Sequence, residues 1–188
     1  MKRIFIGIFP ILLYFFISAC YGFFPSEKTY GVSVDWELEG IEFEGMDGKL
    51  HTITDYKGSV LLLYAGYLNC GVVCGRSMQT LLSLSYKIPA NSKIFFYTLD
   101  PERDTRGRMN AYAERLGEKF VMIRNNTDNL SLTKRLKIQF SRNLFDREIN
   151  HTDHIYLIDG AGKVKFLYPS SHRDVERILS DIKIVGEL

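Results

Sequence analysis

The sequence has no internal repeat, no low-complexity tract and no large excess of charge of either sign. Its 24 lysine and arginine residues nearly balance 22 aspartate and glutamate residues, and no basic stripe is present, which argues against a nucleic-acid partner. The ordinary composition excludes disordered and fibrous proteins. A chain of 188 residues is long enough for one sizeable core and short for two, so we expect one globular domain.

Cysteine is scarce, with three residues in the whole chain, and the first of them ends a long apolar run. Lys2 and Arg3 precede an almost continuous apolar stretch over residues 4–17, and Ser-Ala-Cys follows at residues 18–20. A charged start, an apolar middle and small residues before a cleavage point are typical of an export signal. The apolar stretch contains Pro10 and is shorter than the roughly 20 residues of a membrane-spanning helix.

Residues 17–20 (Ile-Ser-Ala-Cys) resemble the lipobox of bacterial lipoproteins, in which the signal is cut before the cysteine and that cysteine carries lipid. We therefore predict a signal peptide at residues 1–19, lipidation of Cys20, a tether over residues 20–35 and a domain at residues 36–188. An uncleaved apolar anchor is the alternative. Both interpretations tether the domain to a membrane of the bacterial cell envelope, on its periplasmic or other extracytoplasmic side.

The remaining cysteines form a closely spaced pair. If Cys20 carries lipid, Cys70 and Cys74 are the thiols that remain, so any internal disulfide joins them. A bridge that encloses so few residues restricts the unfolded chain little and adds little stability. Outside the cytoplasm, such a short bridge indicates redox or metal chemistry rather than a scaffold. Two buried structural cysteines that happen to be close are the alternative.

An unbroken apolar run leads into this pair. Residues 60–64 (Val-Leu-Leu-Leu-Tyr) are typical of a central strand that is covered on both faces. A helix-like pattern begins near Cys70 and Cys74, which predicts that they lie at the carboxyl edge of the sheet. Helical positions i and i+4 share one face, roughly 5–6 Å apart at Cβ, and a helix N-terminus favours thiolate. The pair is therefore suited to a disulfide or to one soft metal ion.

The rest of the sequence predicts strands that alternate with helices. An Asp-Gly turn at residues 47–48 indicates an N-terminal hairpin of residues 36–43 with residues 50–53. Further strands are predicted at 93–100, 120–123, 155–158 and 163–168, and helices from Cys74 to Pro89 and at 105–117, 130–136 and 175–184. This order predicts an α/β domain with a mixed central sheet flanked by helices.

The order of elements resembles the thioredoxin fold, and three segments are similar to motifs of the Sco/SenC family. Residues 67–74 (Tyr-Leu-Asn-Cys-Gly-Val-Val-Cys) look like its Cys-x3-Cys segment. Residues 98–105 (Thr-Leu-Asp-Pro-Glu-Arg-Asp-Thr) resemble its Asp-Pro-Glu-Arg-Asp-Thr loop. Residues 150–152 (Asn-His-Thr) stand before a Tyr-Leu-Ile strand, like its Asp-His-Thr. Where the family usually has proline after each cysteine, this chain has Gly71 and Gly75.

The resemblance implies a membrane-tethered copper protein whose ligands are Cys70, Cys74 and His151. Two thiolates and one imidazole suit monovalent copper and also accept the divalent ion. His151 precedes a strand that we expect beside the cysteine strand, so a loop can bring its ring over the thiols. His154 is the rival ligand. A solvated loop histidine is the alternative for His151.

Asp100 and Asp104 end a predicted strand at the same edge of the sheet. They are expected either to serve partner docking or electrostatics around the metal, or to cap the helix that begins near Thr105.

The leading functional hypothesis is a metallochaperone that delivers copper to the dinuclear copper centre of a cytochrome c oxidase subunit. The alternative is an enzyme, a thiol–disulfide oxidoreductase that reduces a copper acceptor protein, with Cys70 attacking and Cys74 resolving. A peroxidase relative is a weaker third possibility, because no single reactive cysteine framed by arginine and threonine stands out. A noncatalytic redox sensor would share the same residues and stays open from the sequence.

Overall fold

The computed structural model describes residues 29–124, 131–143, 145 and 147–186. The predicted signal peptide, Cys20 and most of the predicted tether lie outside these residues. Among the helices that are described, none has the length and apolar character needed to cross a bilayer.

The described part of the chain forms ten strands and four α-helices. The strands are β1 (Val32–Glu37), β2 (Glu42–Glu44), β3 (Leu50–Thr52), β4 (Leu61–Gly66), β5 (Lys93–Thr98), β6 (Phe120–Ile123), β7 (Phe140–Arg142), β8 (Ile149–His151), β9 (His154–Ile158) and β10 (Lys163–Pro169). The helices are α1 (Val72–Ser85), α2 (Arg106–Leu116), α3 (Ser131–Arg135) and α4 (Val175–Gly186).

Six strands form one mixed sheet in the order β1-β10-β9-β4-β5-β6. Strand β4 runs parallel to β5 and antiparallel to β9, and all of its residues are buried. An interior strand with both faces covered needs apolar side chains on both faces, which explains the unbroken run. Helix α1 returns the chain from β4 to β5. The segment between β4 and α1, which carries Cys70, therefore lies at the carboxyl edge of the sheet.

An apolar layer covers each face of the sheet. On one face, Leu62 packs with Leu81 of α1 and Ile178 of α4. On the other face, Leu63 belongs to a cluster with Phe43 of β2. Alternate residues of β4 thus enter opposite layers, as the period of two in a strand requires.

The N-terminal hairpin is present but shorter than predicted. It consists of β2 and β3, and Gly48 at its turn has a φ of +78°. Trp36, which the sequence pattern places in this hairpin, lies in β1 and pairs with Val164 of β10. That part of the prediction was wrong because β10 offers an unpaired edge of the main sheet, which a local turn signal cannot reveal.

One element was not predicted at all. Strands β7 and β8 form a separate two-stranded antiparallel sheet, in which Phe140 pairs with His151. The base of this hairpin is closed by Thr152, whose N–H donates to the carbonyl oxygen of Gln139 at 2.9 Å. His151 therefore lies at the end of a short strand and not in an open loop.

Candidate metal centre

Cys70 and Cys74 stand on either side of the start of α1. Gly71 is the N-cap residue of this helix, so Cys74 is in its first turn and Cys70 lies just before it. The two Cα atoms are 5.7 Å apart and the sulfurs are joined in a disulfide. Cys74 is 4% exposed. The first turn of a helix stabilises a thiolate at Cys74 once the bridge is reduced, because unpaired N–H groups point toward it.

His151 lies directly against the cysteine pair. Its Nε2 is 3.4 Å from the Sγ of Cys74. The sulfurs of Cys70 and Cys74 and a ring nitrogen of His151 all lie within 4.8 Å of one another, and within the described residues this is the group of side chains suited to hold a metal ion. The three residues that the sequence selected are therefore brought together by the fold.

The hydrogen bond at the other ring nitrogen fixes how His151 can act. Nδ1 is 3.1 Å from the carbonyl oxygen of Thr152, and because a carbonyl only accepts, Nδ1 carries the proton. In the neutral ring, Nε2 then has a free lone pair that faces the sulfurs. This is the arrangement in which a histidine binds a metal through one nitrogen while the backbone holds the other.

Two tyrosines surround the imidazole of His151. The ring centroids of Tyr64 and Tyr67 are 6.3 Å and 6.2 Å from the His151 ring, both with edge-to-face geometry. The Tyr67 hydroxyl donates to the carboxylate of Glu148 and accepts from the N–H of Ile149 at 3.3 Å. Burial and the bond to Glu148 raise the pKa of Tyr67, so its hydroxyl keeps its proton. Tyr67 therefore holds the start of β8 against the end of β4.

Asp104 holds the segment between β4 and Cys70. Its Oδ2 accepts from the N–H of Leu68 at 3.0 Å and from the Thr98 hydroxyl at 2.6 Å. The side chain is fully buried, and burial raises the pKa of Asp104 although both hydrogen bonds oppose that shift. Helix α2 is capped instead by Thr105, whose hydroxyl accepts from the N–H of Arg108 at 3.4 Å. The capping role considered for Asp104 is therefore wrong.

Asp100 connects the loop after β5 to the β7–β8 hairpin. Arg103 donates to its Oδ2, and Nη2 of Arg142 on β7 lies 3.3 Å from its Oδ1. Arg103 also donates to the carbonyl oxygen of Arg147 at 2.6 Å. The Asp100 side chain is fully buried, so its carboxylate pairs with arginines of the same chain and is not presented at the surface.

The other histidines lie outside this group. His154 is half-buried, and burial lowers its pKa. His51 pairs with Asp47, with 3.0 Å between Nε2 and Oδ1. His172 packs against Tyr30 with its ring tilted by 32° and 5.0 Å between the ring centroids. The choice of His151 over His154 thus agrees with the geometry.

Fold and site together define a thioredoxin-like domain that presents two cysteines and one histidine at the carboxyl edge of its sheet. The SCO1/SenC family model matches residues 36–186, so the chain belongs to the SCO1/SenC family. The SCO2-like protein of Rickettsia typhi is 26% identical over 140 residues, which cover 69% of this chain and 69% of that relative. The family predicted from three sequence motifs is confirmed.

Three solved structures have a similar fold. A SCO1/SenC family lipoprotein from Bacillus anthracis matches with a TM-score of 0.70 and 23% identity over 82% of this chain and 97% of its own. Arabidopsis thaliana ScoI, solved with copper bound, matches with a TM-score of 0.68 and 17% identity over 84% of this chain and 99% of its own. BsSco matches with a TM-score of 0.66 and 20% identity over 84% of this chain and 98% of its own. It is described as having a disulfide switch and as a member of the Sco family of cytochrome c oxidase assembly proteins. The predicted thioredoxin-like fold is confirmed.

Proposed function

We propose that this protein is a copper carrier of the bacterial cell envelope, which binds one copper ion through Cys70, Cys74 and His151. The observation that carries the proposal is the convergence of two sulfurs and one imidazole nitrogen within 4.8 Å. Soft thiolate donors favour monovalent copper, and imidazole is compatible with both oxidation states. Copper bound to Arabidopsis thaliana ScoI supports copper as the cargo.

Loading requires reduction of the Cys70–Cys74 disulfide. Two electrons and two protons from a thiol reductant convert the bridge into two thiols, and copper then displaces protons from the sulfurs as it binds. The Nδ1 atom of His151 faces the carbonyl oxygen of Thr152 at 3.1 Å, which leaves Nε2 as the ring nitrogen that faces the copper. The same chemistry makes binding dependent on the redox state of the pair.

Delivery then occurs by ligand exchange with a reduced acceptor protein. We propose that the acceptor is the subunit that holds the dinuclear copper centre of cytochrome c oxidase. Support comes from the Sco-family motifs in residues 67–74, 98–105 and 150–152 and from the description of BsSco as an assembly protein of this oxidase. The Cys20 lipobox, together with the lipoprotein from Bacillus anthracis, supports a lipid tether that keeps the domain at the membrane.

Copper titration of the reduced protein tests the ligand set. Unmodified protein is expected to bind one copper(I) ion in competition with a chelator, Cys70→Ser to lose stoichiometric binding, and His151→Ala to bind at least tenfold more weakly. His172→Ala, which removes an imidazole remote from the sulfurs, is the matched control and keeps full affinity. Unchanged affinity in His151→Ala contradicts the three-ligand assignment.

The thiol–disulfide oxidoreductase hypothesis has less support. The imidazole of His151 lies 3.4 Å from the sulfur of Cys74 and completes a set of three possible metal ligands, whereas thiol exchange needs no third donor. Turnover of an oxidised protein substrate by metal-free protein measures this activity directly. Sluggish exchange is the result expected of a carrier.

A further inference from the structure

A cluster of three polar side chains, Ser77, Asp153 and Arg173, lies beside the metal centre. The Ser77 hydroxyl donates to Oδ1 of Asp153 at 2.7 Å. Arg173 donates through Nη2 to the same Oδ1 at 3.3 Å and to the Asp153 carbonyl oxygen at 2.9 Å. Ser77 is fully buried, and the side chains of Asp153 and Arg173 are each 14% exposed. Such a buried, charged network is costly to form, so it calls for an explanation.

The cluster joins the elements that carry two of the proposed ligands. Ser77 follows Cys74 by three residues on α1, so both side chains lie on one face of that helix. Asp153 follows His151 by two residues, between β8 and β9. A hydrogen bond between Ser77 and Asp153 therefore connects the thiol helix to the imidazole strand across 76 residues of sequence.

Arg173 attaches this connection to the main sheet. Besides its two bonds to Asp153, it donates through Nη1 to the carbonyl oxygens of Tyr168 and Pro169 at the end of β10. The guanidinium group thus donates to both the backbone and the side chain of Asp153. The same group is hydrogen-bonded to the end of β10 in the six-stranded sheet. A planar group with several donors in fixed directions is well suited to this role.

His151 needs such support because it does not belong to the main sheet. Strands β7 and β8 form their own two-stranded sheet, so main-sheet hydrogen bonding does not set the distance from His151 to Cys74. Tyr67 secures the first residue of β8. The Asp153 cluster secures the chain just after the last residue of β8.

We infer that Asp153 is a positioning residue for copper binding, which acts with Ser77 and Arg173 to hold the His151 imidazole against Cys74. This inference rests on the proposed function and deepens it. Residues that orient a metal ligand without touching the metal typically change metal affinity tenfold to a hundredfold when they are removed. The prediction is that this cluster acts through His151 and not through the thiols.

A double-mutant cycle separates these two routes. Ser77→Ala and Asp153→Ala are expected to weaken copper(I) binding by the reduced protein by about tenfold or more. In a His151→Ala background, the same changes should leave the remaining affinity unchanged. A loss of equal size in that background would overturn the inference, as would no loss in either background.

Asp181→Asn is the matched control for general loss of stability. Asp181 is also a buried carboxylate, and it accepts from Tyr30 N, Gly31 N and the Tyr168 hydroxyl at 3.0, 2.8 and 3.0 Å. The variant should unfold at a lower temperature with unchanged copper affinity. If Asp181→Asn weakens copper binding as much as Asp153→Ala does, global destabilisation explains both and the inference fails.

A metal-free measurement keeps the inference separate from the copper proposal. In reduced, metal-free protein, nuclear Overhauser contacts between the His151 ring and the Cys74 β-protons should be visible in the unmodified chain and in Asp181→Asn. These contacts should weaken in Ser77→Ala. Alanine is a strong helix former, so this substitution keeps α1 intact. Unchanged contacts in Ser77→Ala would refute the positioning role, whereas failure of unmodified protein to bind copper refutes the proposed function alone.

Discussion

The Tyr67 hydroxyl offers a sharp test of how the fold presents His151. Tyr67→Phe removes one oxygen atom and leaves the ring that packs against the imidazole. That oxygen accepts from the N–H of Ile149 at 3.3 Å and donates to Glu148. Both Tyr67 and Ile149 are nearly inaccessible, at 3% and 4% exposed, so water cannot easily replace the lost acceptor.

The size of the effect follows from these contacts. A buried N–H group that loses its acceptor costs about 1–3 kcal/mol of folding free energy. A loss of about 2 kcal/mol corresponds to a decrease in Tm of roughly 4–8 °C for a domain of this size. Because Ile149 begins the strand that ends in His151, copper(I) affinity should also fall, by about tenfold.

Urea denaturation and copper(I) competition of the reduced protein provide the two readouts. Tyr86→Phe is the matched control, because it removes the same hydroxyl from a side chain that is 82% exposed. The control should have the stability and affinity of the unmodified protein. If Tyr67→Phe is as stable as Tyr86→Phe, the bond to Ile149 does not hold β8 and the reasoning is wrong.

Three further predictions concern other parts of the domain. Gly75 lies in α1 with open space around an added Cβ, so Gly75→Ala should raise the unfolding free energy by about 0.5–1 kcal/mol. Gly117→Ala should lower the unfolding free energy, because Gly117 has a φ of +99°. Urea titration measures both changes. Burial raises the pKa of Asp104, so the stability that its proton contributes is complete at acid pH and is lost as the pH rises through the raised pKa. Asp104→Asn, which does not titrate, should flatten this part of the pH–stability profile. Parallel profiles for the variant and the unmodified protein would contradict the prediction. Asp181→Ala should increase hydrogen exchange at the amide of Gly31, which donates to that carboxylate at 2.8 Å; equal protection in both proteins would be the contrary result.

The sequence predicted the elements whose signals are local. Strand β6 has the predicted bounds, Phe120–Ile123. Helix α2 lies between Thr105, which caps it, and Gly117, whose positive φ ends it. Capping residues and apolar periodicity act within a few residues, so they can be read directly from the chain.

The sequence could not predict the β7–β8 hairpin or the groups that orient the ligands. Both strands have three residues with little alternation of burial, which gives no periodic signal. Asp153 and Ser77 have no distinctive sequence pattern. The signal that the sequence offers for a role near the metal is that each lies within three residues of a proposed ligand. Their roles became visible through hydrogen bonds that join distant segments.

By itself, the sequence determined the chemistry at the edge of the sheet: a buried apolar strand that leads to two cysteines at a helix start, and a histidine before a second buried strand. The tertiary structure alone decided that His151 meets Cys74, 77 residues away, with 3.4 Å between Nε2 and Sγ. Side-chain types and local patterns are encoded residue by residue. A distance across the fold depends instead on how β4 pairs with β9 and on which buried polar groups hold β8, and these contacts exist only in the folded chain.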